Sequence, residues 1–399
     1  MKPQSRLPKP LQVIAEFMRL EASAGILLFA TAMLALIWSN SPWESFYHLI
    51  IHEPFIFSFH QWHIKTPAIF WINDVLMAIF FLLVGLEIKR EICVGELNSP
   101  RKIMLPAIAA LGGMIVPAVV YLIFNAGDHL TIHGWAIPTA TDIAFALGII
   151  SLLGNRVPHA LKLYLMALAI FDDLGAIIII ALFYQAGLFW PALIGILGCM
   201  GVLFALNRMR VHALWVYCLV GIVMWGFFLK SGIHPTLAGV ILALMIPLNT
   251  NEKNNGASPL RRLESGLHPW VAYAILPLFS FANAGVSFSG LNIGELFSAV
   301  PLGIMLGLFI GKQVGVFVAT WLAIRCGVAF MPQGGSWSSL YAMGMVCGVG
   351  FTMSLFIGNL AFTPEQGDYA ALVRFGVLAG SLLSGVVGYV LLRRFCKKL

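Results

Sequence analysis

Runs of about twenty apolar residues recur along the whole chain, parted by short polar connections. A run of that length lets an α-helix cross the hydrocarbon of a bilayer, where every backbone N–H and C=O must be bonded within the segment. The strict alternation that marks a membrane β-barrel is absent. The pattern therefore predicts an all-α membrane protein of about 12 transmembrane helices. They fall at roughly 20–39, 69–88, 103–125, 135–153, 163–183, 189–206, 213–230, 234–248, 269–288, 301–324, 339–361 and 371–392. The first run, from about Ala22 to Trp38, is long enough to span and lacks a small-residue cleavage site, so a retained helix is expected there.

Two connections are longer than the rest. Residues 40–68 are rich in aromatics and histidine, with β-branched residues around Ile50–Ile64, and are expected as an external hairpin-like loop. Residues 249–268 include the polar stretch NTNEKNNGASP and are expected as a cytoplasmic loop.

Composition agrees with this picture: 60% of residues are hydrophobic and 10% charged, with a mean hydropathy of +0.90. So few charges cannot clothe a soluble protein of 399 residues, for which about a quarter would be usual. The net charge of +7 could suggest nucleic acid, but its distribution does not. Most Lys and Arg lie in alternate connections, among them Lys89, Arg90, Arg101 and Lys102, then Arg156 and Lys162, then Arg208 and Arg210, and both termini. Lys65, Lys230 and Arg374 fall on the other side. The bias puts both termini in the cytoplasm, in keeping with an even number of spans. The six cysteines are scattered with no C-x-x-C pair, which argues against a disulfide framework and a zinc site. His48, His52, His60 and His63 have spacing that could suit a metal, but surface histidines are the simpler reading.

Four ionisable residues lie deep inside the predicted spans. Asp172 is ten residues after Lys162 and twelve before Tyr184, Asp173 follows it, Asp142 sits within Pro138-Thr139-Ala140-Thr141-Asp142, and Lys312 lies eleven residues after Pro301. A charge at such depth costs at least about 2.5–3.5 kcal/mol, so each asks for an ion path or a partner. Three acids and one base cannot pair one to one, which leaves a carboxylate to be protonated, hydrated or bound to a cation. Asp172 and Asp173 diverge by about 100° around their helix and so cannot present one ion with the same face.

The backbone carries a second signal. The Pro-Thr-Ala-Thr-Asp stretch and Cys347-Gly348-Val349-Gly350-Phe351-Thr352 each interrupt a span near its middle, because proline removes a donor and Thr, Asp and Gly favour non-helical backbone. These two spans are the middle members of triplets three–four–five and ten–eleven–twelve, which have opposite orientation. Inverted-topology repeats with midplane sites made from two broken, crossing helices show this pattern, an arrangement known for the family named below. Asp142 would offset the positive ends of half-helices and Lys312 the negative ends. Gly303, Gly307, Gly311 and Gly315 recur every four residues around Lys312 and read as a packing stripe.

Seven segments together resemble the NhaA family of bacterial sodium/proton antiporters: FFLLVGLEIKRE at 80–91, PTATDIAFALG at 138–148, LAIFDDLGAI at 168–177, SGIHPTLAG at 231–239, LHPWVAYAILPLFSFANAG at 267–285, GKQVG at 311–315 and CGVGFTMS at 347–354. They run in family order over nearly the whole chain. The resemblance implies a single integral transporter of the bacterial inner membrane, often paired as a homodimer. Its core domain would be built from about 103–183 and 301–392 plus flanking helices. It implies that Asp173 is the main Na+ ligand, with Asp172 as its partner in ion and proton binding. Asp142 and Lys312 would balance the crossed helices, with Thr141 beside the site. Glu87, Glu91, Glu264 and His268 match a cytoplasmic cluster linked with the response to alkaline pH, and His234 a histidine near the external face. Whether Lys312 pairs with Asp172 in the empty site is left open. The chain departs from some members at Ser265, where they carry histidine, and around Tyr217, where the nearby basic residues are Arg208 and Arg210.

The function expected is exchange of cytoplasmic Na+ or Li+ for external H+, electrogenic, serving pH and sodium homeostasis, with lipid around it and no cofactor, enzymatic activity or nucleic acid. An intramembrane aspartyl protease would need facing acids and a G-x-G-D motif, both missing. A sodium-coupled symporter of an organic solute on a related fold is the alternative; anion-binding arginines would mark it, and no arginine lies in a span centre.

Overall fold

The computed structural model describes residues 9–59, 62–95, 100–185, 187–248, 258–287, 292, 294–362 and 369–396. Helix α1 (Lys9–Ser39) leads to a short helix α2 (Glu44–His52). An antiparallel pair follows, β1 (Pro54–Phe59) and β2 (Trp62–Pro67), with Pro54 opposite Pro67. Then come α3 (Ala68–Val94), α4 (Pro100–Asn125), a 3-10 helix (Thr131–Thr139), α5 (Ile143–Leu152) and α6 (His159–Phe183). Next are α7 (Trp190–Arg208), α8 (Leu214–Ser231), α9 (Leu237–Met245) and α10 (259–284). The chain ends with α11 (Ala299–Arg325), α12 (Trp337–Cys347), α13 (Phe351–Ala361) and α14 (Tyr369–Phe395). Among the described residues, nine helical stretches are long and apolar enough to cross a membrane, and α12 with α13 makes a tenth, bent by 44°. The protein is a helical membrane protein whose large apolar side chains, Ile123, Ile194, Ile222 and Val390 among them, stay exposed around the bundle.

Two predicted spans take another form. The one at 234–248 is helical only over the nine residues of α9, about 14 Å and half a bilayer, because His234-Pro235-Thr236 turn instead of coiling. The one at 269–288 begins ten residues early. The stretch 258–268, expected as loop, is the first part of α10: the Ser258 hydroxyl accepts from the Arg261 N–H at 3.3 Å and Pro259 occupies the first turn. Leu260 is buried and Leu263 and Leu267 pack inward, so this polar-looking segment is amphipathic. Residues 249–257 lie outside the described residues, as do Lys2, Arg6, Lys253, Lys397 and Lys398 and the histidine at 60.

Each expected triplet is a long helix, an interrupted one and a second long helix: α4, the 3-10 helix with α5, and α6; then α11, α12 with α13, and α14. Hydrophobic attraction between helices is weak in lipid, and close backbone contact replaces it. The first helices of the two triplets meet in this way. A Cβ at Gly315 would run into the Gly112 carbonyl of α4, and one at Gly112 into the Gly315 carbonyl of α11. This contact carries Lys312, three residues before Gly315, to the face of α4. Helices α7, α8 and α9 form a separate apolar cluster with Leu82 and Leu86 of α3.

Candidate functional site

Both interruptions fall where the sequence places them, and they touch. After Thr139 the backbone of Ala140 and Asp142 is extended, and α5 starts at Ile143. On the other side α12 stops at Cys347 and α13 starts at Phe351. The Asp142 N–H donates to the Val349 carbonyl at 2.7 Å. The Asp142 carboxylate then caps both outgoing helices: Oδ1 accepts from the Phe145 N–H at 3.0 Å, and Oδ2 accepts from the Thr352 N–H at 3.0 Å and the Thr352 hydroxyl at 2.5 Å. Unbonded N–H groups and the positive end of the dipole converge at such helix starts, so one buried acid answers two of them.

The opposite polarity is met by Lys312. Its ammonium donates to the carbonyl of Thr139, the last residue of the 3-10 helix, at 2.5 Å, and to Asp172 Oδ2 at 2.7 Å. Both side chains are fully buried. The Thr141 hydroxyl lies 2.6 Å from Asp172 Oδ2 and 2.9 Å from the Cys347 carbonyl. It has one hydrogen for two acceptors, so it serves one of them at a time. The question left open by the sequence has a structural answer: Lys312 and Asp172 are paired.

Asp173, one residue along α6, is outside this network. It is 2% exposed, and its Oδ1 is buried with no hydrogen-bond partner, as is Asp172 Oδ1. The divergence of neighbouring helical side chains thus separates the two acids: Asp172 is bonded to a base, and Asp173 is not. Among the described residues no group of three or more His, Cys, Asp or Glu side chains forms a metal cluster. What the arrangement offers a cation is carboxylate, hydroxyl and carbonyl oxygen, the donor set of a hard ion.

The expected surface cluster is centred on a residue that sequence reasoning left out of it. Arg90 donates to Glu264 at 2.7 Å and to Glu91 at 2.5 Å, tying the end of α3 to α10. His268 lies one turn beyond Glu264 on α10. Ser265 is exposed and its hydroxyl donates to the Arg262 carbonyl at 3.2 Å. Glu87 lies one turn before Glu91 on α3.

Further polar side chains bond between the spans. Thr352 and Thr139 lie inside quoted motifs without having been singled out. Asn73, Asn283 and Asn359 link α3, α10 and α13: Asn283 Oδ1 accepts from Asn73 at 3.2 Å and from Asn359 at 2.7 Å. Each falls in a predicted span, and an amide in an apolar run was the signal available. His234 stands 3.6 Å from Asp74 at the start of α3.

The sequence model of the family described as Na+/H+ antiporter 1 matches residues 15–392. A protein of Rhodospirillum rubrum named Na(+)/H(+) antiporter NhaA is 57% identical over 389 residues, covering 96% of this chain and 98% of that one. A Pseudomonas putida protein of the same name is 52% identical over 377 residues, with 94% and 96% covered, and one of Paramagnetospirillum magneticum is 51% identical over 388 residues, with 97% of each. With the family model spanning nearly the whole sequence and relatives of this identity covering 94% or more of it, the chain belongs to the NhaA family of Na+/H+ antiporters.

Proposed function

We propose that the chain extrudes cytoplasmic Na+ or Li+ in exchange for external H+ at the Asp172–Asp173 pair, and that each cycle moves net charge. The observation that carries this reading is the pair's asymmetry: each acid has a buried oxygen with no protein donor, but Asp172 is held through its other oxygen by Lys312 and Thr141, and Asp173 by neither. A proton or a cation can supply what Asp173 lacks, and the two compete for it. When a cation arrives, Asp172 can turn from Lys312 to the ion, with Thr141 and the opened backbone as further oxygen donors. Protons from outside then displace the ion. Two protons entering for one cation leaving, one on Asp173 and one returned at the Asp172–Lys312 pair, move one positive charge inward per cycle.

The core of 103–183 and 301–392 would move against the remaining helices, carrying the site from one face to the other. Asp142 keeps the two interrupted helices together during that movement, and Lys312 ties the first of them to α6. The basic connections support an inner-membrane orientation with both termini in the cytoplasm, and the family supports a homodimer surrounded by lipid. The test is sodium-driven dequenching of a pH dye in everted vesicles at several pH values, with membrane potential clamped and unclamped. Dequenching that depends on Na+ and accelerates with the favourable potential is the expected result. Sodium uptake that requires an added organic solute would instead favour symport.

Regulation is expected to depend on the cluster around Arg90. Glu264→Gln removes one carboxylate from the guanidinium and leaves the core acids untouched. The cluster lies at the membrane surface, about half a bilayer or roughly 15 Å from the centre, so its effect must pass through a conformational equilibrium. In proteoliposomes the pH profile of Glu264→Gln should shift more than its maximal rate falls. A lower rate at every pH with the profile unchanged would leave the cluster a purely structural role.

A further inference from the structure

The seam between α1, α5 and α14 holds an apolar groove of about 420 Å³. Phe29 and Met33 of α1, Phe145 and Gly148 of α5, Phe351 at the start of α13 and Leu382 of α14 line it. Glycine brings the walls together at its base: a Cβ on Gly25 would meet the Gly148 Cα at 3.0 Å, so α1 and α5 touch backbone to backbone there. All three helices belong to stretches long and apolar enough to cross a membrane. Phe29 and Leu382 remain 47% and 57% exposed, so the protein itself does not fill the space.

The occupant is indicated by what lies at the end of the groove. On α14 the lining residues Leu378, Leu382, Val386 and Tyr389 recur every three or four positions, and the next on that stripe is Arg393, four residues on. Arg393 is exposed in the last turn, and among the described residues nothing is hydrogen-bonded or ion-paired to its side chain. An apolar channel within the membrane that ends at a phenol and an arginine at the membrane surface matches an amphiphile with an acyl chain and a negative head. We propose that this groove binds an anionic phospholipid, one acyl chain lying between α1 and α14 and the phosphate resting on Arg393.

The location gives the lipid a lever on transport. The Phe145 ring stands edge-on to Phe351 at 5.4 Å and to Phe29 at 6.4 Å. Phe145 and Phe351 are the first-turn residues of the two helices that Asp142 caps. An acyl chain packed on this aromatic trio joins α1 to the turn after each interruption, at the border between the proposed moving core and the rest.

The test is native mass spectrometry of the full chain purified in detergent, titrated with phosphatidylglycerol and, separately, phosphatidylcholine. The wild type should retain one tightly held phosphatidylglycerol and hold phosphatidylcholine less well. Arg393→Gln should weaken retention of phosphatidylglycerol about fivefold, the share expected of one basic side chain at a membrane surface, and leave phosphatidylcholine unaffected. Leu382→Trp, which puts an indole into the groove, should remove the tight lipid, and Met33→Trp does the same from the opposite wall should the first variant fail to fold. Equal retention of the two lipids overturns the proposal. So does unchanged phosphatidylglycerol binding in Arg393→Gln or in a folded groove-filling variant.

Discussion

Asp173→Asn should reduce sodium-driven proton movement to the level of vesicles lacking the protein, while melting in detergent stays at or above the wild-type value. The amide matches the carboxylate in size but can neither release a proton nor offer a charge to a cation. No protein donor depends on Asp173 Oδ1, so the substitution breaks no hydrogen bond there. It also removes a buried acid that is bonded to no base, and an unpaired buried charge is itself costly. Asp172→Asn is the informative contrast. Asp172 Oδ2 holds Lys312 at 2.7 Å and Thr141 at 2.6 Å, so its amide leaves a buried ammonium with a weaker acceptor and melting should fall. Measuring exchange and melting for both variants separates an acid that binds the cargo from an acid that also holds the fold. Robust sodium-dependent proton movement by Asp173→Asn would end the assignment of Asp173 as the main ligand.

The ingredients of the site were legible in the sequence because membranes penalise them. Asp142, Asp172, Asp173 and Lys312 stand out in runs that otherwise contain no charge, and counting residues from the nearest polar connection gives their depth. The interruptions were legible for a related reason: Pro138 and the glycines at 348 and 350 cannot continue a helix cheaply. Partnership was not legible. Asp142 and Thr352 are 210 residues apart, and Lys312 and Thr139 are 173 apart. Hydrophobic period fixes which residues are deep, but it carries no information on which deep residue meets which. The sequence could say that three acids and a base must find partners; only the packing of α4 against α11 says that Lys312 reaches Asp172.

The misplacements have physical causes too. Residues 258–268 looked like loop because hydropathy falls there, yet Ser258-Pro259 is a helix start and Leu260, Leu263 and Leu267 keep helical spacing. Arg90 was assigned to orientation only, since a basic residue at the end of a span is what the positive-inside bias demands. Its carboxylate partner on α10 is 174 residues away and invisible to that argument. Of the wider turns within α3, α10 and α11, Val271–Ile275 lies between Pro269 and Pro277 and Gly307–Gly311 has a glycine at each end, while Trp71–Leu76 has neither signal. The turn at Gly307–Gly311 directly precedes Lys312 and helps to set the direction of its side chain.

Lys312→Ala is expected to cost more stability than Asp142→Asn, and both should melt below the wild type. Removing one member of a buried ion pair costs about 3–5 kcal/mol when the other charge is stranded. Here the loss also leaves the Thr139 carbonyl without its donor at the end of the 3-10 helix, a penalty of about 1–3 kcal/mol for a buried group left unmet. Asp172 can take up a proton and so recover part of the first cost, which makes these figures upper bounds. Asp142→Asn is gentler. The amide oxygen can still accept from Thr352, but its NH2 must then face the Phe145 N–H, so α5 loses its cap, worth about 0.5–2 kcal/mol. The double variant Asp172→Asn with Lys312→Ala discriminates further. It leaves no stranded carboxylate, so it should melt above Lys312→Ala alone even though it lacks one more native charge. Thermal melting of the four proteins in one detergent reads all of this at once. Wild-type melting of Lys312→Ala would mean that the pair does not anchor the first interrupted helix. A double variant no more stable than Lys312→Ala would place the loss in the Thr139 contact and the vacated volume instead of in the charge on Asp172.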